Sequence, residues 1–445
     1  LASLVIFRGL STDPAVQALK ELLELIAARA HPVALLKAYS ALATRMIEAI
    51  EGGEIPPGDP LSQHLISLIL FDDNLLARSL ALGGRDACDS AMLHRASVEW
   101  GILGPLCRLG MSGLANLLST LVPNHLIDVD WRLLGSEHRY RTTTLEAETR
   151  TILAQEDSWP AVLEALELFW RRCGTGPFAR YRAFRWIHDS QGGRLQPIAQ
   201  PDPIRLDDLI GNDRERRLIV ANTRHFLEGL PANNVLLYGD AGTGKSSLVK
   251  ALLNEFSDQG LRLIEVAKEN LGDFPYIAAQ LRHRPHKFII FVDDLSFEEQ
   301  ETQYKVLKAA LEGTVEARPS NVLVYATSNR RHLVRESFTD RVTDGEIHVR
   351  DTQQEKISLA DRFGLHLTFV SPGQEKYLQI VQGLAQRRGL SIDLDELKRR
   401  ALQWAQWQRG WSGRTARQFV DHLTAELATA HLTEEDDSDL PGSGS

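Results

Sequence analysis

The run Gly239-Asp240-Ala241-Gly242-Thr243-Gly244-Lys245-Ser246 constrains this chain more than any other stretch. Before it, Asn234 to Tyr238 reads NVLLY, a short apolar run suited to a buried strand. After it, Ser247 to Phe256 reads SLVKALLNEF, apolar at helical spacing. Strand, glycine-rich loop and helix in that order form a phosphate-binding unit. The glycines let backbone N–H groups wrap phosphate oxygens, and the helix N-terminus adds its positive end. Lys245 is expected to reach the β- and γ-phosphates and Ser246 to ligate Mg²⁺. Ala241, Thr243 and Ser247 lie in the same nucleotide-binding stretch. A glycine-rich turn that binds nothing would explain neither flank.

At 445 residues the chain exceeds one ordinary core, so two or three domains are expected. Its 43% hydrophobic and 24% charged residues are those of a soluble globular protein. No apolar run is long enough to cross a bilayer, and no signal-peptide pattern opens the chain, which begins at Leu1. Cys88, Cys107 and Cys173 are isolated and odd in number, which fits a reducing cytoplasm. The net charge of −9 excludes a globally basic nucleic-acid binder but not a local basic groove.

Residues 1–188 read as a mainly helical domain, with apolar spacing over Ala15 to Ile50, Leu61 to Leu82 and Trp159 to Arg172. His31-Pro32 interrupts the first of these. Residues 189–203 hold Gly192-Gly193, Pro197, Pro201 and Pro203 and read as a linker. Residues 204–370 alternate strand and helix, which implies a parallel sheet with helices on both faces. The later strands are expected at Leu261–Val266, Lys287–Val292, Val322–Ala326 and Leu367–Val370, with a helix over Glu299–Leu311 closed by Gly313. Residues 371–432 read as a helical lid and 433–445 as a disordered acidic, then Gly/Ser-rich, tail.

Phe288 to Asp294 reads FIIFVDD, an apolar strand whose acids fall at the C-terminal edge of the sheet, beside the phosphates. Asp293 fits the acid that anchors Mg²⁺, and Asp294 is placed to orient or polarise an attacking water. Val322 to Asn329 reads VLVYATSN, where Asn329 at the strand end is suited to hold that water or a γ-phosphate oxygen. Arg362 follows in Asp361-Arg362-Phe363-Gly364-Leu365. Arg414 lies in WSGRTARQF, with Ser412 as its helix N-cap.

In this order the elements resemble those of AAA+ ATPases. They are more similar still to one uncharacterised bacterial family of predicted AAA+ ATPases, a domain of unknown function. The stretches that carry the resemblance are PANNVLLYGDAGTGKSSLVKALLN, GLRLIEV, KFIIFVDDLSF, YATSNRRHL, DRFGL and SGRTARQF, covering about Arg205 to Leu423. The resemblance implies a Walker A loop at Gly239, Gly242, Gly244, Lys245 and Ser246 and a Walker B metal acid at Asp293. It implies sensor 1 at Asn329, an arginine finger at Arg362 that reaches a neighbouring subunit, and sensor 2 at Arg414, with Arg417 as the runner-up. Ile210-Gly211 resembles the segment that packs on the adenine, and Arg330 and Arg331 read as surface or interface residues. Most such motors carry Asp-Glu in Walker B, whereas this chain has Asp293-Asp294, a pair also found in relatives resembling DNA-transposition helpers and helicase loaders. Glu298 and Glu299 are weaker substitutes, expected to open the next helix.

The resemblance implies ATP and Mg²⁺ as cofactors, hydrolysis to ADP and phosphate, and a homo-oligomer, ring or open and hexameric. A protein or nucleoprotein partner would be engaged through the N-terminal helical domain, with DNA loading and a slow-hydrolysing switch or scaffold as alternatives. A GTPase is disfavoured because no Asn-Lys-x-Asp motif occurs. A small-molecule kinase is disfavoured by Asn329 and the lid arginine. His283 and His286 flank Pro285 among basic residues, which reads as a solvated loop rather than a metal pair. Trp404, Trp407 and Trp411 read as lid core rather than base-stacking platforms. Ala267 to Tyr276 is a weak candidate for a pore loop.

Overall fold

The computed structural model describes residues 1, 3–53, 55–123, 127, 131, 142–190, 192–295, 319–329, 362–408 and 410–438. The expected Glu299–Leu311 helix, Gly313, Glu298, Arg330, Arg331 and Asp361 lie outside them. The chain divides into two compact units, Leu1–Tyr181 with His283–Pro285, and Arg182–Arg282 with His286–Ser445. No described helix is long and apolar enough to cross a membrane.

The first unit is helical: α1 (Pro14–Ala27), α2 (Pro32–Glu51), α3 (Pro60–Leu70), α4 (Leu75–Gly83), α5 (Ser90–Leu118), α6 (Thr144–Gln155), α7 (Trp159–Cys173) and α8 (Pro177–Arg180). Prolines open α1, α2, α3 and α7, where a missing N–H costs nothing. Asp13 caps α1 and Asn74 caps α4 through side-chain oxygens. The Asn74 cap is why the apolar run from Leu61 to Leu82 becomes two helices. α5 kinks at Gly110 (φ 59), and the Asp59 carboxylate accepts the Met111 and Ser112 N–H groups released there. Glu99 is fully buried and accepts N–H bonds from Val5, Ile6 and Phe7 and from Arg95. That carboxylate fastens the N-terminal segment to the unit.

The second unit holds a seven-stranded sheet in the order β2-β1-β4-β5-β6-β3-β7. Its strands are β1 (Ala183–Asp189), β2 (Gly192–Ile198), β3 (Val235–Gly239), β4 (Leu261–Glu265), β5 (Lys287–Val292), β6 (Val322–Ser328) and β7 (Leu365–Phe369). Among the described strands, β1 and β2 pair antiparallel and the other pairings are parallel. β6 lies between β5 and β3 and is buried along its whole length, which is why it reads as a continuous apolar run. The sheet is joined by α9 (Asp213–Leu227), α10 (Lys245–Phe256) and α11 (Phe274–Leu281). Then come α12 (Gln374–Arg387), α13 (Leu394–Trp407) and α14 (Gly413–Ser438), which enclose a separate core around Tyr377, Val381, Ala401, Phe419 and Leu423.

Four local expectations change. Residues 192–198, read as linker, form β2 instead. Gly193 gives the Trp186 indole its space, since a Cβ there would come 2.1 Å from Trp186 Cζ2. Pro197 sits on an edge strand, where its missing N–H is tolerated. Residues 433–438, read as tail, continue α14, because the first helix breaker is Pro441. His286, read as solvated, is 2% exposed, with its ring edge-on to Phe288. Trp404 packs on Phe419 and stacks on His422, as expected for core, but Trp407 is 78% exposed. The buried line of α13 runs through Leu397, Ala401 and Ala405, and Trp407 lies about 200° around the helix from Ala405.

Candidate functional site

β3 leads directly into the phosphate loop. Gly239 stands at φ 132, and a Cβ there would meet the Phe369 carbonyl oxygen at 1.9 Å. Only glycine lets the chain leave β3 so close to β7, and Asp240 N–H then donates to that same oxygen at 2.9 Å. Gly242 and Gly244 also hold positive φ, and Gly244 delivers the chain into the first turn of α10. The free N–H groups of that turn suit an anion. The Thr243 hydroxyl donates to Asp240 O within the loop.

Lys245 is buried, and its ammonium donates to Gly239 O (3.0 Å), Asp240 O (2.7 Å) and Asn329 Oδ1 (2.9 Å). Burial lowers its pKa, with Asp240, Asp293 and Asp294 opposing that shift. Asn329 uses its other end as well: Nδ2 donates to Asp294 Oδ1 at 2.5 Å. The Ser246 hydroxyl donates to Asp293 Oδ1 at 2.6 Å. Thus the five sequence-chosen residues cluster at the C-terminal ends of β3, β5 and β6 as two hydrogen-bonded groups, Lys245–Asn329–Asp294 and Ser246–Asp293.

A cleft of about 680 Å³ opens over this cluster. It is lined by loop residues from Ala241 to Ser247, by Ile210 and Gly211, and by Arg414 and Arg417 from α14. Ile210 lies against Gly383 of α12, where a Cβ would come 2.4 Å from Ile210 Cδ1. Asn212 ties this segment to the loop through Thr243 O. Arg414 is held over the loop by its own backbone, N–H to Gly242 O at 3.2 Å, and Ser412 Oγ accepts the Thr415 N–H as the expected cap. Ile380 and Leu384 of α12 supply an apolar wall beside Ile210. Arg362 is exposed and is not among the residues lining the cleft. Of the two aromatics in the stretch read as a pore loop, Phe274 is buried and Tyr276 is exposed.

The oxygen pair at Ser246 and Asp293 fits a hard divalent cation such as Mg²⁺, which takes carboxylate and hydroxyl ligands. Sequence reasoning missed Thr327, whose hydroxyl donates to Asp293 Oδ1 at 2.5 Å and accepts the Asp294 N–H at 2.9 Å. The available signal was strand alternation: Thr327 lies two residues before Asn329 and shares its side of β6. It also missed Lys376, Ile380 and Leu384, since lid residues meet the loop only after folding.

A strand, phosphate loop and helix in a mostly parallel sheet, with acids and an asparagine at neighbouring strand ends, define a P-loop nucleotide-binding protein of the AAA+ class. A family model described as "Protein of unknown function (DUF815)" matches residues 179–427, and the chain belongs to that family. It is similar to the replication factor C large subunit of Staphylothermus marinus, 34% identical over 82 residues. It is also similar to a 26S proteasome regulatory subunit 4 homolog of Schizosaccharomyces pombe (39% over 72 residues) and a probable spastin homolog of Brugia malayi (21% over 258 residues). These matches cover 18%, 15% and 52% of this chain and 18%, 16% and 52% of those proteins. Among solved structures, the Thermotoga maritima RuvB Holliday junction branch migration motor is similar at 16% identity and a TM-score of 0.37, over 52% of this chain and 67% of that one.

Proposed function

We propose that this protein binds ATP in the cleft over Gly239–Ser246 and hydrolyses it to ADP and phosphate. The observation that carries the reading is the gathering of Lys245, Asn329 and Asp294, and of Ser246 and Asp293, in two hydrogen-bonded groups at the mouth of the phosphate loop. Ile210, Gly211, Ile380 and Leu384 would take the base, and the loop N–H groups with Lys245 and Arg414 the phosphates. Ser246 and Asp293 would hold Mg²⁺, which when bound neutralises charge on the phosphate oxygens. Asp294 and Asn329 would orient the water whose oxygen bonds to the γ-phosphorus as the bond to the β-bridging oxygen breaks. Catalysis by this set is positioning and charge stabilisation rather than covalent chemistry.

Arg362, standing away from the cleft of its own chain, supports a role at a neighbour's nucleotide in a ring or open oligomer, hexameric by resemblance. The working role is remodelling of a protein or nucleoprotein, with the N-terminal helical unit as the partner-binding region, in the cytoplasm. A second reading, a slow-hydrolysing switch or DNA-loading helper, is favoured by one observation. The second acid is Asp294 rather than glutamate, and its carboxylate is engaged by Asn329.

Phosphate release from ATP, with Mg²⁺ and with EDTA, over a range of protein concentrations tests the proposal. Turnover that needs Mg²⁺, rises in specific activity with concentration and falls in Asp294→Asn supports the hydrolysing oligomer. Tight ATP binding with negligible turnover supports the switch. No nucleotide binding at all refutes both.

A further inference from the structure

We propose that Thr327 is a positioning residue for both acids of the site, acting through Asp293 and Asp294 rather than on the nucleotide. The inference rests on the ATPase reading above and names a residue that reading does not use.

The argument begins with the backbone of Asp294. Its φ is 52, in the left-handed region that residues with a Cβ seldom adopt. A conformation of that kind persists where surrounding contacts hold it. Among the described residues, the backbone contacts that do so come from Thr327. The Asp294 N–H donates to Thr327 Oγ1 at 2.9 Å, and the next N–H, that of Leu295, donates to Thr327 O at 2.7 Å. The chain leaving β5 is therefore pinned to Thr327 at two successive amides.

The same hydroxyl fixes the neighbouring carboxylate. A threonine hydroxyl has one proton to give and lone pairs to accept with. Thr327 gives its proton to Asp293 Oδ1 at 2.5 Å and accepts from Asp294 N–H. Its rotor is thereby set in one direction. Asp293 Oδ1 receives the Ser246 hydroxyl as well, so Thr327 and Ser246 approach the metal-facing carboxylate together.

Thr327 is itself a fixed point. It is 1% exposed on the central strand β6, which pairs with β3 on one side (Leu237↔Thr327) and with β5 on the other. Asp293 and Asp294 follow the end of β5 and have no ladder of their own. A rigid strand thus supplies the reference, and a single hydroxyl transmits it to both acids. Strand alternation adds the third member: Thr327 and Asn329 both line the cleft, whereas Ser328 between them does not. Asn329 then binds the Asp294 carboxylate while Thr327 holds the Asp294 amide, so this acid is fixed at both ends. Because the second acid is an aspartate, its short side chain follows its backbone closely, and control of the backbone becomes control of the carboxylate.

Structural packing alone is the competing account, and the substitutions separate the two. Thr327→Val keeps the branched shape and removes the hydroxyl; Thr327→Ser keeps the hydroxyl and removes the methyl; Thr327→Ala removes both, should valine not fold. In steady-state ATP hydrolysis, Thr327→Val is expected to lower kcat about 10–100-fold with KM within about threefold, the scale of a small misplacement of catalytic groups. Thr327→Ser is expected to stay within about threefold of wild type. In nucleotide-free protein, hydrogen exchange of the segment spanning Asp294 should quicken in valine and not in serine. Valine turning over like wild type, or serine falling as far as valine, overturns the proposal.

If wild type binds nucleotide without turnover, the hydrolysis reading fails separately and Thr327 is judged by ADP affinity. The gain in affinity on adding Mg²⁺ should shrink at least about fivefold in valine, with affinity in EDTA unchanged. An undiminished gain overturns the proposal.

Discussion

Replacing Asn329 by alanine should affect binding and turnover in opposite ways. The Asn329 amide is used at both ends, Oδ1 by the Lys245 ammonium at 2.9 Å and Nδ2 by Asp294 at 2.5 Å. For Lys245 to reach a phosphate it must give up Asn329 along with the carbonyls of Gly239 and Asp240. A hydrogen bond to a charged group contributes about 1.5–3 kcal/mol, and the exposure of Asn329 puts this one at the low end. Removing it takes away a bond that nucleotide must break, so ATP affinity should hold or rise by up to about tenfold. Turnover should move the other way. Loss of one oriented amide facing the reacting groups costs about 10²–10³ in kcat. Equilibrium titration with a fluorescent ATP analogue and single-turnover phosphate release measure the two separately. Affinity that falls more than about fivefold, in step with turnover, would show that alanine merely damaged the loop and would refute this reasoning. Unchanged turnover would remove Asn329 from the chemistry altogether.

Arg362→Ala should abolish most turnover, by about 10³-fold or more on the scale of arginine fingers, and mixing it with inactive Asp293→Asn should restore part of the activity, since Asp293→Asn subunits supply Arg362 to the otherwise intact sites of Arg362→Ala subunits; a mixture as dead as its parts excludes action in trans. Gly239→Ala should destabilise the second unit by about 2–4 kcal/mol in urea melts, combining positive-φ strain with the loss of the Asp240 to Phe369 bond; a cost below about 1 kcal/mol would mean β3 and β7 separate easily. Glu99 is lowered in pKa despite the opposing push of burial, because the N–H groups of Phe7, Val5 and Ile6 and the Arg95 guanidinium stabilise its charge. A carboxylate lowered on folding adds stability above its ordinary value of 4.5, and that contribution fades as pH falls through the lowered folded value. Glu99→Gln should therefore melt well below wild type at pH 7, with the gap narrowing as pH drops under 4.5; a gap independent of pH refutes this.

The phosphate loop, its strand and its helix were legible because each carries a local signal: glycines at fixed spacing, an apolar run and a helical period. The central strands were legible for the same reason, since β5 and β6 are buried throughout and read as unbroken apolar runs. The β1–β2 hairpin was not. Glycines and a proline at an edge mean strand only when a partner is present, and the partner of Gly193 is the Trp186 indole from the preceding strand. The lid wall of Ile380 and Leu384 was illegible for a related reason. Its helical spacing announces burial without saying against what, and the cleft forms only when α12 meets Ile210. Arg414 shows the intermediate case. Its side-chain type was readable, but its place over the loop comes from a backbone bond to Gly242 that no residue pattern encodes.

The Asp-Asp pair is where residue identity alone misleads. Counted in methylenes, Asp294 falls short of the glutamate usual at that position, and the inference is a slower enzyme. The structure adds a variable that identity does not contain, the left-handed backbone at Asp294. Turning φ to 52 swings the Cα–Cβ bond relative to an extended strand end, so side-chain length no longer sets the carboxylate's position by itself. The competence of the pair therefore depends on whatever keeps that backbone turned. The groups that do so are the Thr327 hydroxyl and carbonyl, both on a strand locked between two neighbours. It follows that Asp294→Glu need not accelerate hydrolysis: the longer side chain, launched from the same turned backbone, would overrun the Asn329 amide that now meets the aspartate at 2.5 Å.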